Sequence, residues 1–488
     1  MVACSFAVVA GLAAGAVATS GHSTIVFAFP ALLIPVAIWK RSAASVIIVL
    51  AIATLIEQQQ DTLTVGPGVA GAFTQKIPLF NSITQGSGIN PFEVLLVLIL
   101  SIWVMKGALE GSLRLPHSAL SRAIGVFLLV VLWGFGTGLA DGGAFRWAVW
   151  EVRPFVYLGT MFWVSASLLQ TKRALRAVLW TMVLGSGFKA LQGVKIWIPA
   201  RHLTPRPQAI LAHEEAFFFG MFIFLTLGLW IFEQRGALRT TATALLPAVL
   251  LANLANSRRT SWAILVLGLV AMIVLAYATL PHRRRMLRRL GVGLAIGSAL
   301  YFPAFWNSDS TIGQPAHAVH SAVKPDPRDA SSNTYRNQED ANLWFNIHRS
   351  PIVGIGFGRP IDYAKPIALV TNDPMITYVP HNSVLYIWMR LGLVGEVAFL
   401  MMIAAAILRA VELARVRDPE LALFGMLMVC AVVAYLVQGY NDMGFTWFRI
   451  ALAMGVLLGA TEAALRLARR ERTEPTSESV IEPIGAPT

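Results

Sequence analysis

Residues 121–140 read SRAIGVFLLVVLWGFGTGLA, an apolar run long enough to cross a membrane as one helix. The hydrocarbon core of a bilayer is about 30 Å thick, and a helix needs about 20 residues to cross it. Similar runs extend from Phe217 to Phe232 and from Ala263 to Leu280. Because lipid offers the backbone no hydrogen-bond partners, such runs must be helices. The sequence therefore predicts membrane-spanning helices.

The composition of the whole chain agrees with this prediction. Of its 488 residues, 56% are hydrophobic and only 13% are charged, and the mean hydropathy is +0.63. A water-soluble protein of this length needs far more charge on its surface. No basic region precedes the first apolar stretch, so we expect no cleavable signal peptide, and this stretch is predicted to remain as a helix.

Windows along the chain predict an all-α polytopic membrane protein with about fourteen transmembrane helices. Their centres lie near residues 12, 30, 51, 98, 130, 162, 186, 224, 248, 270, 298, 395, 431 and 455. With both termini in the cytoplasm, most of the 39 Lys and Arg fall in the cytoplasmic connections, as the positive-inside rule requires. These dispersed charges favour contact with anionic lipid headgroups and argue against a nucleic-acid partner.

The prediction divides the chain into four parts, and the second of them is unusual. The parts are transmembrane helices 1–11 in residues 1–306, a long external (periplasmic) loop in 307–381, transmembrane helices 12–14 in 382–466, and a disordered cytoplasmic tail in 467–488. A loop as long as the second part is usually functional or disordered. This loop is therefore expected to hold part of a site.

The composition of the loop favours an ordered structure. Apolar residues between Trp344 and Phe357 allow it to fold back on the membrane helices. A flexible lead-in is expected over residues 314–332, because this stretch is rich in Pro, Ala and Ser. The pattern over residues 334–348 suits a helix. A turn should follow at Gly354, Gly356 and Gly358.

Motifs in and around the loop carry a family resemblance. In chain order they are Asn256-Ser257-Arg258-Arg259-Thr260-Ser261, Arg336-Asn337, Asn342-Leu343-Trp344, Ser350-Pro351-Ile352-Val353-Gly354-Ile355-Gly356-Phe357-Gly358, His381-Asn382-Ser383 and Leu391-Gly392-Leu393-Val394-Gly395. As an ordered set they resemble the O-antigen ligase and O-antigen polymerase superfamily. The resemblance implies a GT-C type glycosyltransferase of the inner membrane, which takes a glycan from a polyprenyl diphosphate carrier on the external face.

Arg258 and Arg259 are candidate catalytic residues that would hold the diphosphate. A departing diphosphate needs its charge stabilised, and the guanidinium fork pairs bidentately with phosphate oxygens. Two arginines at a helix end are costly near hydrocarbon unless an anion meets them, although either could extend to lipid headgroups instead. Neighbouring helix positions point about 100° apart, so only one of the two is expected to face the site. Ser257, in the same turn, is a candidate substrate contact.

His381 is the candidate base for the acceptor hydroxyl, because imidazole titrates near neutral pH. The alternative is that it simply precedes a helix cap formed by Asn382 or Ser383. Asn382 is also a candidate substrate contact. Arg336 is a further catalytic candidate that would reach the diphosphate or the sugar, or else be an ordinary solvated side chain. Glu339 lies on the same predicted helix and is a candidate to orient Arg336 or His381, as is Asp340.

Other candidates for substrate binding lie outside these motifs or have a plain structural alternative. Arg146 and Arg153 are seven residues apart and share one helical face; they either extend a basic track for the carrier or pair with Glu151. The glycines at 354, 356 and 358 allow close approach of the backbone to a ligand, or form a plain turn. A weaker set for acceptor recognition comprises His213, Glu214 and Glu215.

Neither a metal nor a cofactor is expected. His317 and His320 have a possible metal-ligand spacing, but the sequence places no carboxylate beside them in the flexible lead-in. No nucleotide-binding loop is present. The prediction is a metal-independent glycosyltransferase that moves a polyprenyl-diphosphate-linked glycan to a glycan, lipid or protein acceptor. Ligase and polymerase remain open, and the alternative class is a flippase or secondary transporter of an anionic substrate.

Overall fold

A computed structural model describes residues 34–58, 64–66, 69–81, 88–111, 115–204, 207, 209–308, 310–367 and 374–473. The helices, in chain order, are α1 (Ala43–Leu55), α2 (Pro91–Leu109), α3 (Ala119–Ala140), α4 (Phe145–Leu168), α5 (Lys172–Ala200), α6 (Glu215–Ile231), α7 (Ala237–Ala255), α8 (Arg259–Thr279), α9 (Arg284–Phe305), α10 (Gln314–Val323), α11 (Pro327–Arg349), α12 (Ser383–Ala414), α13 (Pro419–Asn441) and α14 (Phe448–Thr473). A small antiparallel hairpin joins strands β1 (Thr64–Gly66) and β2 (Val69–Ala70). Short 3₁₀ turns cover Phe73–Lys76, Pro281–Arg283, Thr311–Gly313 and Pro374–Thr377.

The chain is an all-α polytopic membrane protein, as the sequence predicts. Every predicted span centre from residue 51 onward falls within a helix, whereas the centres at 12 and 30 lie outside the described residues. Among the described helices, eight are long and apolar enough to cross a membrane, namely α2, α3, α5, α7, α8, α12, α13 and α14. Helices α1 and α6 are apolar but shorter, so a count of fourteen is not confirmed.

Helix α14 lies at the centre of the bundle and packs along α4. It is the most deeply buried of the eight long spans, with 89% of its apolar window inside the protein. Two glycines make this contact close: a Cβ added at Gly455 would lie 2.5 Å from the carbonyl oxygen of Leu158, and one at Gly459 would lie 2.6 Å from that of Phe162. Helix α14 continues to Thr473 and so extends into the stretch that was expected to be a disordered tail.

Two helices of the long loop replace the flexible lead-in that the sequence predicts. Helix α10 covers most of its first half, and α11 begins at Pro327 and contains the whole of the predicted helix 334–348. The carboxylate of Asp326 caps α11 by accepting a hydrogen bond of 2.7 Å from the backbone N–H of Asp329. Proline is common in the first turn of a helix. The prediction of a flexible lead-in is wrong, because two of its prolines lie in the first turns of two helices.

Helix α12 breaks at Gly392, whose φ of 64° lies in the left-handed region. A break of this kind leaves backbone groups on both sides without helical partners. The loop segment 351–358 supplies them through bonds from Ile355 N–H to Met389 O (2.8 Å), Gly356 N–H to Arg390 O (3.0 Å), Leu393 N–H to Pro351 O (2.9 Å) and Val394 N–H to Ile352 O (3.2 Å). This segment of the long loop is therefore built into the bundle.

The predicted glycine turn is confirmed, and it is fastened by a buried ion pair. Gly354, Gly356 and Gly358 all have positive φ, between 75° and 83°. Arg390 and Glu151 are fully buried and lie 2.6 Å apart (Nη2 to Oε1). Glu151 also accepts a hydrogen bond of 2.6 Å from the backbone N–H of Gly358, and Arg390 donates one of 3.1 Å to the carbonyl of Gly356. The pair thus ties the turn to both α4 and α12.

Candidate functional site

A cavity of about 690 Å³ opens where α8, α10, α11 and the end of α13 meet. We call it the arginine cavity, because Arg258, Arg259 and Arg336 all line it. Its other polar lining residues include His213, Ser257, His317, Asp326, Asp329, Asn333, Asn441 and Asp442. Three guanidinium groups around one space make a site suited to a multiply charged anion.

The turn between α7 and α8 brings Arg258 and Arg259 to the cavity together. Ser257 has a φ of 46°, and the side chain of Asn256 holds the turn by accepting the backbone N–H groups of residues 210 and 211 at 3.2 and 3.0 Å. Arg258 has an extended backbone (φ −88°, ψ 119°) and precedes the first residue of α8, Arg259. The expectation that only one arginine faces the site is wrong, because the helical 100° spacing does not apply to the residue before the helix.

A smaller cavity of about 200 Å³ adjoins the arginine cavity. We call it the histidine cavity, because His381 lines it together with Asn337, Glu339, Asp340, Asn382 and Tyr440. Three residues, Asn333, Arg336 and Asn441, line both cavities. Arg336 therefore stands between the group of arginines and the candidate base.

His381 is held by Glu339 of α11. The Glu339 carboxylate accepts the backbone N–H of His381 at 2.9 Å, and both its oxygens lie 3.2 Å from Nδ1 of the imidazole. Burial lowers the pKa of His381, but the hydrogen bond and charge of Glu339, aided by the charge of Asp442, raise it above its ordinary value overall. The suggestion that Glu339 orients His381 agrees with these contacts, which leave Nε2 as the ring nitrogen for a substrate.

Asn382 both caps a helix and lines the histidine cavity. Its side-chain oxygen accepts the backbone N–H of Leu385 at 3.2 Å, so it is the N-cap of α12. Its amide nitrogen donates to a carboxylate oxygen of Asp340 at 3.2 Å. Burial raises the pKa of Asp340. Asn382 is therefore a helix cap, as the alternative interpretation predicts, and it also lines the cavity beside His381.

A second pair of a histidine and a carboxylate, His213 and Asp442, lines the arginine cavity. The sequence does not predict this pairing. Nδ1 of His213 lies 2.5 Å from Oδ2 of Asp442. Burial alone would raise the pKa of Asp442, but the neighbouring His213 and the positive charge of Arg258 bring it well below its usual range. The two residues are 229 positions apart, and no motif in the sequence connects them.

Comparison with known proteins agrees with the motifs. Residues 221–400 match the family described as O-Antigen ligase. The resemblance to the O-antigen ligase superfamily is confirmed. The O-antigen ligase of Salmonella typhimurium strain LT2 is 26% identical over 276 residues, a stretch that covers 54% of this chain and 64% of that protein. The match to the O-antigen ligase family contains both arginines of the α7–α8 turn, Arg336 and His381.

Several predicted substrate contacts lie away from the two cavities. Arg153 pairs with Glu93, with Nε and Oε1 2.7 Å apart, and Arg146 is exposed and lies over the ring of Trp147. Neither is the partner of Glu151, so that alternative is wrong. Neither arginine is among the residues that line the arginine cavity or the histidine cavity.

The three loop glycines, Glu214 and Glu215 contact other protein groups and are not substrate contacts in either cavity. A Cβ at Gly356 would lie 2.3 Å from the backbone nitrogen of Gly138, so the close approach is to protein backbone. None of Gly354, Gly356 and Gly358 lines either cavity. Glu214 and Glu215 are buried against Arg449, which lies 2.8 Å from Glu215 (Nη2 to Oε1). The sequence candidates that line the two cavities are thus Arg258, Arg259, Arg336, Ser257, His213, Glu339, Asp340, His381 and Asn382.

One group in the arginine cavity has the residue types of a metal site. Ligand atoms of His317, Asp326 and Asp329 all lie within 4.8 Å of one another. The expectation that His317 lacks a nearby carboxylate is wrong, because α10 and α11 bring both aspartates beside it. One of them, Asp329, also lies 3.8 Å from Nη1 of Arg259.

Proposed function

We propose that this protein is a membrane glycosyltransferase of surface polysaccharide biosynthesis, which transfers a polyprenyl-diphosphate-linked glycan to an acceptor hydroxyl. One observation carries the proposal: the arginine cavity and the histidine cavity are contiguous and share Arg336. The reaction needs two kinds of group next to each other, one that stabilises a departing anion and one that accepts a proton. The two cavities supply them in that arrangement.

The arginine cavity would hold the diphosphate of the donor. Arginine stays charged at any working pH and pairs with phosphate oxygens through two parallel hydrogen bonds. Arg258, Arg259 and Arg336 surround a space large enough for a diphosphate and the first sugar. They would stabilise the two phosphates as the bond from the anomeric carbon to the phosphate oxygen breaks.

The histidine cavity would hold the acceptor. With Nδ1–H of His381 directed at Glu339, the lone pair on Nε2 can accept the proton of the acceptor hydroxyl. The oxygen of that hydroxyl then forms the new bond to the anomeric carbon, and the polyprenyl diphosphate leaves. His381 keeps the proton as an imidazolium, which Glu339 stabilises, until solvent removes it.

The proposed location follows from the same arrangement. Both cavities lie at the end of the bundle that carries α10, α11 and His381. If that end faces the periplasm, as the basic connections on the opposite side favour, the site lies on the external face of the inner membrane. Residues 307–381 would then be a periplasmic part of the site, between transmembrane helices on either side.

A strain that lacks this protein provides the test, with surface glycans analysed by gel. Single repeats on the acceptor would identify a polymerase, and long unattached chains would identify a ligase. The wild-type gene should restore the pattern, and a His381→Ala variant should not. His348→Ala is the matched control, because His348 is an exposed histidine of the same loop that bonds only to the carbonyl of Trp344 in the described structure. Unchanged glycans in the deletion strain would contradict the proposal and favour a transporter.

A further inference from the structure

The arginine cavity contains an imidazole that the proposed reaction does not yet use. His213 lies just before α6 and exposes 38% of its side chain, and it lines the cavity with the three arginines. Its Nδ1 is taken by Asp442, at 2.5 Å. Asp442 has only 7% of its side chain exposed. Nε2 is therefore the nitrogen that remains for a ligand in the cavity.

The fixed contact with Asp442 decides which charge state of His213 can bind an anion. A neutral imidazole has one N–H, and the carboxylate of Asp442 requires it at Nδ1. Nε2 then carries a lone pair, which a phosphate oxygen would repel. Only the imidazolium has an N–H on both nitrogens. It can donate to Asp442 and to a phosphate at the same time.

We propose that His213, positioned by Asp442, is a fourth cationic group of the diphosphate site and binds the donor as an imidazolium. The inference rests on the proposed function, since it assigns the arginine cavity to a diphosphate. His213 donates a hydrogen bond from Nε2 to a phosphate oxygen, and no proton passes to the phosphate. Binding of the donor is then coupled to uptake of a proton.

The charges around His213 make this coupling depend on the ligand. The charged and titratable groups that face the cavity from the neighbouring elements are Arg258 and Arg259 at the start of α8, His317 of α10, Asp326 at the N-cap of α11, Asp329 and Arg336 of α11, and Asp442 at the end of α13. On its own segment, Glu214 follows directly and is turned to Arg449. The carboxylate of Asp442 favours a positive charge on His213, whereas the arginines of the empty cavity oppose it. A bound diphosphate neutralises them and favours the protonated imidazole.

Calorimetric titration of the purified protein with a short-chain polyprenyl diphosphate tests the proposal. Because the proposal has the donor bind the imidazolium form, binding should take up protons, measured by repeating the titration in buffers of different ionisation enthalpy. His213→Gln should bind about tenfold more weakly and take up fewer protons, by up to about one. His213→Arg should keep the affinity and lose the same uptake, because its charge is permanent. His202→Gln, an exposed histidine in the same α5–α6 connection, is the control.

The outcomes separate this inference from the proposed function. If the wild-type protein does not bind the diphosphate, the proposed function fails and the inference falls with it. If the wild-type protein binds but His213→Gln has the same affinity and the same proton uptake, only the inference is overturned. If His213→Gln binds the diphosphate normally but no longer transfers glycan, the inference is also overturned, because His213 would then act on the acceptor. If His213→Gln does not fold, His213→Arg decides: proton uptake equal to the wild-type value would contradict the proposal.

Discussion

Arg390 and the arginines of the arginine cavity differ in what their guanidinium groups meet. Arg390 is fully buried and meets only protein: Glu151 at 2.6 Å and the carbonyls of Gly356, Arg359 and Tyr378. Arg259 has 29% of its side chain exposed and lines the arginine cavity with Arg336. The difference shows that a charge in an apolar chain does not by itself identify a site. A site is identified by a charged group that faces open space.

A second buried group supports the same distinction. Arg449 is fully buried beside Glu215, and Lys189 is fully buried with Glu57. Such pairs lose hydration when they are buried, and their value depends on every charge keeping its partner. They hold α1, α5, α6 and α14 together. The arginine cavity differs because part of its charge faces open space where an anion can enter.

The largest expected effect comes from breaking the buried pair. Glu151→Ala leaves Arg390 buried without its carboxylate, and removal of one partner of such a pair costs about 3–5 kcal/mol. We expect the variant to unfold at a clearly lower temperature in detergent, or to fail to accumulate. Thermal unfolding followed by intrinsic fluorescence measures this. Arg336→Ala is the matched control and should change the unfolding temperature little, because Arg336 is only partly buried and its side chain lines open cavities, so its removal leaves no fully buried charge without a partner. If Glu151→Ala and Arg336→Ala lower the unfolding temperature equally, the distinction between the buried pair and the cavity arginines is wrong.

The next effect separates the two cavities by activity. His381→Ala should leave donor binding intact and slow transfer by roughly 10²- to 10⁴-fold, the usual contribution of a general base. Arg258→Ala should weaken donor binding as well as transfer. Arg258→Lys should restore only part of both, because a point charge cannot replace the bidentate fork. Donor affinity and single-turnover rates are the measurements. Transfer at the wild-type rate by His381→Ala would show that another residue is the base.

The sequence predicts which residues meet around the two cavities better than it predicts their three-dimensional arrangement. The apolar runs predict the helices because lipid forces the backbone to bond within each segment, and the ordered motifs identify His381 and the two arginines of the α7–α8 turn. The roles of Gly356 and Glu151 could not be predicted, since they depend on the loop entering between α3 and a broken α12. Contacts between distant positions leave no periodic signal in one sequence, which is why the His213–Asp442 pair was missed.

A smaller, pH-dependent effect should distinguish Glu339 from His381. Glu339 raises the pKa of His381, while Arg336 opposes it. A base works only in its unprotonated form, so the rate should rise with pH through the raised pKa. Glu339→Gln removes the negative charge and lowers that pKa, so the acidic limb of the rate profile should move to lower pH. Transfer should also slow by about tenfold, because a base of lower pKa accepts protons less readily. An unchanged acidic limb in single-turnover rates from pH 5 to 9 would show that Glu339 only supports the fold.

The smallest expected effect concerns metal ions, and the cluster of His317, Asp326 and Asp329 makes the question specific. Both carboxylates of the cluster already have partners: Asp326 accepts the backbone N–H of Asp329, and Asp329 lies 3.8 Å from Arg259. Arg258, Arg259 and Arg336 can supply the positive charge that a divalent ion provides for a departing diphosphate in other enzymes. The cluster would then orient α10 against α11, without taking part in transfer.

We therefore expect the purified protein to transfer glycan at an unchanged rate in the presence of a chelator. The comparison with Arg258→Ala in the same assay shows that transfer depends on the donor site, since that variant should lose activity with or without the chelator. If the chelator abolishes transfer and Mg²⁺ or Mn²⁺ restores it, the arginines do not suffice and the three-residue cluster becomes the metal site. Restoration should then fail in Asp329→Asn, because an amide lacks the negative charge that binds a hard cation. Such a result would mean that the arginine cavity holds the diphosphate together with an ion.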